Sequence, residues 1–373
     1  MSASVVHDDF PITRNYAFLN HAASSPLPRV AVEALREYAA DWSEHGPALR
    51  QKWLEKIEST RSTLASRLGC QPSEIAFCQN TTAAICCVAN GVDWQPGDNV
   101  VLANVEYPAN VYPWWAQDQR GVGLKFVRPE NGRIRLEDFF AAADSRTRVM
   151  AVSHVQFATG FRADLDKLGT FCRDREILLL VDAIQSFGVF PINVKASQIG
   201  ALACGVHKWL LCPPGLGFLY CDRDLCERLK VWCPGAESVV RPQEYLNYDL
   251  TYREGARRFE GGSLNLASTY CLEAVLAMLH EVGDEQVLRR VRRLTDHLCS
   301  GLRDRGCRVF SSRVDDEWSG IVLFTLEKHP SGRVVDALAK SGIITSVRED
   351  RIRVSPHFYN SEEEIDRLLA ALP

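Results

Sequence analysis

The chain is 373 residues long, 46% apolar and 24% charged, the composition of a soluble globular protein large enough for two domains. Its net charge of −4 offers no basic footprint for nucleic acid, and no apolar run approaches the roughly 20 residues of a membrane span. The 13 cysteines are scattered through apolar segments such as Cys86-Cys87, Cys204, Cys212 and Cys221, with no Cys-x-x-Cys pair and no His-x-x-x-His spacing, which predicts reduced core thiols in a cytoplasmic protein and no metal centre.

Met1 to Phe10 carries Asp8 and Asp9 where a secretory signal carries base and then an apolar core, so export is not expected. Helical patterns over Arg29–Trp42 and Trp53–Leu68 predict two N-terminal helices that pack across both domains. From about Ile75 to Asp222, short β-rich runs alternate with helical stretches. The strands fall at Glu74–Cys78, Asn99–Val105, Gly123–Val127, Arg148–Ser153, Ile177–Asp182, Ala201–Cys204 and Gly217–Tyr220, with helices at Leu136–Ala142 and Leu165–Arg173. Near-continuous apolar strands such as Ile177-Leu178-Leu179-Leu180-Val181 predict an α/β fold whose mostly parallel sheet is covered on both faces. A long helix, Leu266–Val282, leads into a shorter α+β pattern. It comprises helix Gln286–Arg305, strands at Arg308–Ser311 and Gly320–Leu326, helix Gly332–Lys340, strands at Ile343–Thr345 and Ile352–Ser355, and helix Ser361–Leu372. The expected division is residues 1–265 for the large domain and 266–373 for the connecting helix and small domain.

A doubly wound sheet binds ligands beyond the carboxyl ends of its strands. The nucleotide fingerprints Gly-x-Gly-x-x-Gly and Gly-x-x-x-x-Gly-Lys-Ser/Thr are absent. Present instead are Val181-Asp182 at a strand end and Gly205-Val206-His207-Lys208-Trp209 just after the next strand. With nine lysines against 34 arginines, a Lys in an apolar loop is poor surface filler. Pyridoxal 5'-phosphate (PLP) needs such a pair: a Lys amine for a Schiff base and an acid to keep its pyridine nitrogen protonated. The residues alone also allow a solvated Lys after a strand and an Asp that caps the next helix.

Asp182-Ala183-Ile184-Gln185-Ser186, Gly205-Val206-His207-Lys208 and the Gly-x-Gly-Phe strand at Gly215–Phe218 resemble the class V aminotransferase group of fold-type I PLP enzymes. That group contains cysteine desulfurases, selenocysteine lyases, isopenicillin N epimerase and kynureninase. The resemblance runs from Phe18-Leu19-Asn20-His21-Ala22-Ala23 to Arg353-Val354-Ser355-Pro356-His357-Phe358-Tyr359-Asn360. It implies a seven-stranded PLP-binding large domain, a smaller α+β domain, an amino-acid substrate and a homodimer with shared active sites.

The resemblance also implies site residues. Lys208 would carry the cofactor and Asp182 would face its ring nitrogen. Thr81 and Thr82, in Cys78-Gln79-Asn80-Thr81-Thr82, would hold the phosphate at a helix N-terminus capped by Asn80 or Thr81. His207 would lie near the phosphate and Gln185 at the phenolate oxygen. Tyr107 takes the position of the residue that stacks on the ring, where desulfurases carry His. Gly205 stands where the family often has Ser, removing one phosphate contact. In His154-Val155-Gln156-Phe157, desulfurases have Asn at Phe157, which leaves Gln156 as the polar contact. Gly262 and Ser263 would serve the partner subunit's phosphate. Arg353 would grip the substrate α-carboxylate, with Asn20 and Ala22 nearby, and Arg162 would bind a distal anion or form a surface ion pair. Taken one at a time, these residues also read as ordinary caps, core aromatics and exposed strand residues.

Cysteine desulfurases of this group place a nucleophilic Cys on a loop just before that arginine. Here Val347-Arg348-Glu349-Asp350-Arg351-Ile352 is too short for the loop, and no Cys follows Cys307. The expected activity is therefore a lyase reaction at Cα/Cβ without a persulfide. Transamination or epimerisation is the alternative, followed by kynureninase-like cleavage or a non-catalytic subunit.

Overall fold

The structure is a computed structural model and describes residues 7–373. The export expectation drawn from Met1–Phe10 falls partly on residues 1–6, outside the described residues. Seven strands form the central sheet: β1 Ile75–Cys78, β2 Asn99–Ala103, β3 Gly123–Val127, β4 Thr147–Ser153, β5 Leu178–Asp182, β6 Ala201–Gly205 and β7 Gly217–Cys221. Their spatial order is β3-β2-β4-β5-β6-β7-β1, and only β7 runs antiparallel to its neighbours. The predicted α/β class and mostly parallel seven-stranded sheet are present.

Strand side chains alternate between faces, and here both faces are apolar, which is why the strands read as unbroken hydrophobic runs. Met150, Val152, Leu179, Val181, Leu202 and Cys204 join the core on one face, while Val149, Ala151, Leu180, Ala201 and Ala203 join the core on the other. The longer helices are α1 Arg29–His45, α2 Arg50–Leu68, α3 Thr81–Gly91, α4 Leu136–Ala142, α5 Leu165–Arg173, α6 Leu266–Val282, α7 Asp284–Asp304, α8 Ser331–Lys340 and α9 Glu362–Ala370. Ile57 and Leu64 of α2, Leu168 of α5, and Leu272 and Val275 of α6 cover the first face. Ile85 and Val88 of α3 cover the second. None of the helices among the described residues is long and apolar enough to cross a membrane.

The second sheet is antiparallel, with order β10-β11-β9-β8 from β8 Arg308–Val309, β9 Val322–Thr325, β10 Ser346–Arg348 and β11 Arg351–Val354. A two-residue strand, Ala17–Phe18, pairs in parallel with Ile343–Ile344, and Asn20 bridges Ser355. The N-terminal segment is thereby tied to the second sheet. All 13 cysteines are free thiols, and nine are buried.

Candidate active site

The carboxyl ends of β5 and β6 and the start of α3 meet at a cavity of about 210 Å³ lined by Ala22, Ala23, Asn80, Thr81, Thr82, Tyr107, Ala109, Phe157, Asp182, Ile184, Gln185, His207, Lys208, Arg348 and Arg353. Each group arrives by a local rule. Asn80 is extended, and its side-chain oxygen accepts the Ala83 N–H at 2.9 Å, so it is the N-cap of α3 and the helix's first N–H groups sit at the cavity. Thr81 opens the helix with its hydroxyl buried and without a partner among the described residues. A Cβ at Gly205 would lie 3.1 Å from that hydroxyl and 3.1 Å from Ile184. The absent serine thus leaves room for Thr81.

Lys208 lies in the turn that leaves β6. Its carbonyl accepts the Leu211 N–H at 3.0 Å, and Val206 accepts from Cys212 at 3.2 Å. These bonds hold Leu211 at φ +54, a conformation that costs a branched residue roughly 1–2 kcal/mol. The Lys208 ammonium is 5.4 Å from the centre of the Tyr107 ring, and that ring meets Phe157 edge-on at 5.2 Å. Burial lowers the Lys208 pKa to about 8 against the pull of Asp182, with Arg353 adding to the drop. Asp182 ends β5 opposite Ser153, is 2% exposed and accepts the Ile184 N–H at 3.0 Å. Burial raises its carboxyl to about 6, while the Ile184 N–H and Lys208 work the other way.

Arg353, on β11, is 1% exposed. Its only hydrogen bond among the described residues runs from one terminal nitrogen to the Phe157 carbonyl at 3.3 Å, and Nε and Nη2 have no partner there. Burial, and then Arg348, lower its pKa to about 9. An uncompensated buried charge costs about 3–5 kcal/mol, and an arriving carboxylate would offset that cost through a two-point fork.

Other expected residues lie as follows. Gln185 borders the cavity, donating to the Ala22 carbonyl at 2.9 Å and accepting from the Trp209 indole at 3.0 Å. Gln156 and Asn20 are not brought to the cavity. The Gln156 amide donates to Glu106 at 2.6 Å, and the Asn20 side chain accepts from Ser346 at 2.9 Å. Gly262 and Ser263 line an adjoining cavity of about 870 Å³ that shares Asn80 and His207 with the first. Their turn follows Glu260, whose carboxylate takes Arg61 at 2.7 Å and the Phe77 N–H at 2.7 Å. Arg162 faces away: it donates to the carbonyls of Trp318 and Asp315 and stacks on Phe190.

Two residues at the site are not singled out by the sequence. Glu106, next to Tyr107, is buried and accepts from the Ser153 N–H at 2.8 Å and from the Ser153 hydroxyl; burial raises its carboxyl to about 7, with the Ser153 bonds opposing. An acidic residue in an apolar strand end is the signal that could have found it. Arg348 is visible in the sequence only as part of a short turn.

A free hydroxyl at a helix start that lines the cavity, a buried acid, a lysine of lowered pKa beside an aromatic and a half-empty guanidinium fit PLP with a bound amino acid. A family model described as Aminotransferase class-V matches residues 17–368. A probable cysteine desulfurase of Methanothermobacter thermautotrophicus is 28% identical over 396 residues, covering 99% of this chain and 96% of that protein. An uncharacterized aminotransferase of Schizosaccharomyces pombe is 30% identical over 363 residues, covering 95% and 90%. Among solved structures, apo cysteine desulfurase from Thermococcus onnurineus superimposes with a TM-score of 0.90 at 25% identity, covering 98% of this chain and 96% of that one. The cystine C–S lyase C-DES, in complex with its product cysteine persulfide, gives 0.89 at 25% identity, with 97% and 98% covered. The chain belongs to the class-V aminotransferase family and is a PLP-dependent enzyme.

Proposed function

We propose that this enzyme is a lyase that eliminates a β-substituent, sulfur included, from an amino acid without a persulfide cysteine. The observation that carries the reading is the link from β10 to β11. It is the two residues Glu349 and Asp350, and no cysteine borders the Lys208 cavity among the described residues. The similarity to a cystine C–S lyase supports the same reading.

PLP, when bound, supplies an electron sink for bond breaking at Cα. The chain's own groups would do the rest. The α3 N-terminus with Thr81 and Thr82 would hold the phosphate, with His207 beside it, and Asp182 would hold a proton on the ring nitrogen. Tyr107 would stack against the ring, Gln185 would meet its phenolate oxygen, and Ala22 would border the substrate. Arg353 would orient the substrate by its α-carboxylate. Lys208, with a pKa near 8, would move the Cα proton at its Nζ, and Tyr107 or Lys208 would protonate the leaving group. Asn20 and Gln156 would act indirectly, through the groups they hold, Ser346 and Glu106.

Given a cysteine-type substrate, the enzyme should release pyruvate and ammonia rather than alanine, and alkylation of exposed cysteines should leave the rate largely intact. Stoichiometric alanine with a trapped persulfide on any cysteine would sink the reading. A keto acid of unchanged carbon skeleton would favour transamination, and an epimer would favour racemisation.

We also propose a cytoplasmic homodimer, each chain divided at 265/266. A Cβ at Gly262 would meet nothing within 4 Å, so nothing within the chain demands glycine there; close approach of a partner's phosphate would. Mixing inactive Lys208→Ala with a Gly262→Val/Ser263→Val variant should restore activity through one competent site per heterodimer. Full activity of an isolated monomer would contradict the shared site.

A further inference from the structure

The cavity holds more positive charge than one α-carboxylate can use. Arg353 has two nitrogens without a partner among the described residues, free for that group, and Arg348 stands beside it as a second, half-buried guanidinium. The only hydrogen bond of Arg348 among the described residues is to the neighbouring Val347 carbonyl at 2.7 Å, and it makes no ion pair among them. The neighbouring acid is committed elsewhere: Glu349 lies 3.7 Å from Arg351, which itself stacks on Phe310.

The hairpin fixes where Arg348 points. Ser346 pairs with Arg353 and Arg348 pairs with Arg351, so all four side chains share one face of the sheet. Arg348 and Arg353 are diagonal neighbours on that face, with Cβ atoms somewhat under about 7–8 Å apart. Glu349 and Asp350 have φ +45 and +60, the positive values that a type I′ hairpin requires. A turn this tight leaves the two arginines little freedom to separate.

We propose that Arg348 is a specificity-determining residue that reads a second anion on the substrate side chain. The enzyme would then prefer amino acids whose β-substituent carries a carboxylate, sulfinate or sulfonate over their neutral counterparts. The inference rests on the reading of Arg353 as the α-carboxylate site and not on the fate of the β-substituent. A guanidinium fork discriminates well between a carboxylate and its isosteric amide, because the amide presents one acceptor and two donors where the fork needs two acceptors.

The test titrates the holoenzyme with L-aspartate against L-asparagine and L-glutamate against L-glutamine, following the cofactor's absorption band at equilibrium. The acid should bind about tenfold more tightly than its amide in at least one pair, the ratio worth one charged hydrogen-bonded contact. In Arg348→Gln that ratio should fall to near one, and Arg348→Lys should keep part of it. A ratio near one in the parent enzyme would overturn the proposal. So would an Arg348→Gln variant that weakens acid and amide equally or that sheds its cofactor, since Arg348 would then serve the α-carboxylate or the phosphate. Pyruvate release from S-substituted cysteines is scored separately. Its absence would remove the lyase reading, while the acid-to-amide ratio alone would still decide the role of Arg348.

Discussion

Lys208→Ala is expected to lower turnover by at least about 10³-fold, the scale on which loss of a positioned nucleophile and proton carrier acts. Borohydride treatment of the parent enzyme should fix a pyridoxyl group on a single peptide, the one containing Lys208. The variant should keep its fold, because the side chain removed is a buried amine with no salt bridge among the described residues, and its loss relieves desolvation. The pH dependence gives an independent check. In the apo-protein the Lys208 pKa is depressed from 10.5 to about 8, so between those values the unfolded chain binds more protons than the folded one. The associated stability is present above pH 10.5 and is lost as pH falls towards 8. Apo-Lys208→Ala should lack that slope in thermal melts. A pyridoxyl group mapped to another lysine, or turnover near the parent's, would end the assignment.

The large sheet is legible in the sequence because its strands are buried on both faces. Gly123–Val127, Leu136–Ala142, Leu165–Arg173 and Leu266–Val282 form where the periodicity places them. Strand β2 stops at Ala103 rather than Val105, because the Glu106 N–H turns back to the Ala103 carbonyl at 3.3 Å and its side chain is drawn to Ser153. Strand β10 reads as a turn in the sequence: three half-buried residues, one of them charged, carry no alternation to detect. The pairing of Ala17–Phe18 with Ile343–Ile344 is a parallel contact between distant segments and has no local signature at all.

The site divides on the same line. Lys208, Asp182 and Thr81 stand at strand or helix ends in apolar surroundings, where a polar residue is conspicuous, and all three reach one cavity. Gln156 is equally conspicuous, but the carboxylate that captures its amide comes from Glu106, 50 residues earlier. Which of two neighbouring polar groups faces a cavity is decided by such tertiary partners, and a spacing rule does not contain them. Arg348 illustrates the converse, since only the register of its hairpin puts it on the same face as Arg353.

Asp182→Asn is expected to lower kcat by about 10²–10³-fold, the usual cost of removing one preorganised electrostatic partner, with the cofactor still bound. Asparagine is nearly isosteric and its side-chain oxygen can still accept the Ile184 N–H, so the turn after β5 should survive and only the charge is lost. Stability separates the charge from a merely structural role. Burial raises the Asp182 carboxyl from 3.8 to about 6, so the folded apo-protein binds more protons than the unfolded chain between those values. Its contribution is present below pH 3.8 and lost as pH rises through 6, and at pH 8 the ionised, buried carboxylate is a burden on the fold. Apo-Asp182→Asn should therefore melt no lower than the parent at pH 8 even as its holo form loses turnover. A large fall in melting temperature with proportionate loss of cofactor would make Asp182 a structural residue. Parental turnover in a folded, cofactor-loaded variant would show that no anion is needed at the ring nitrogen.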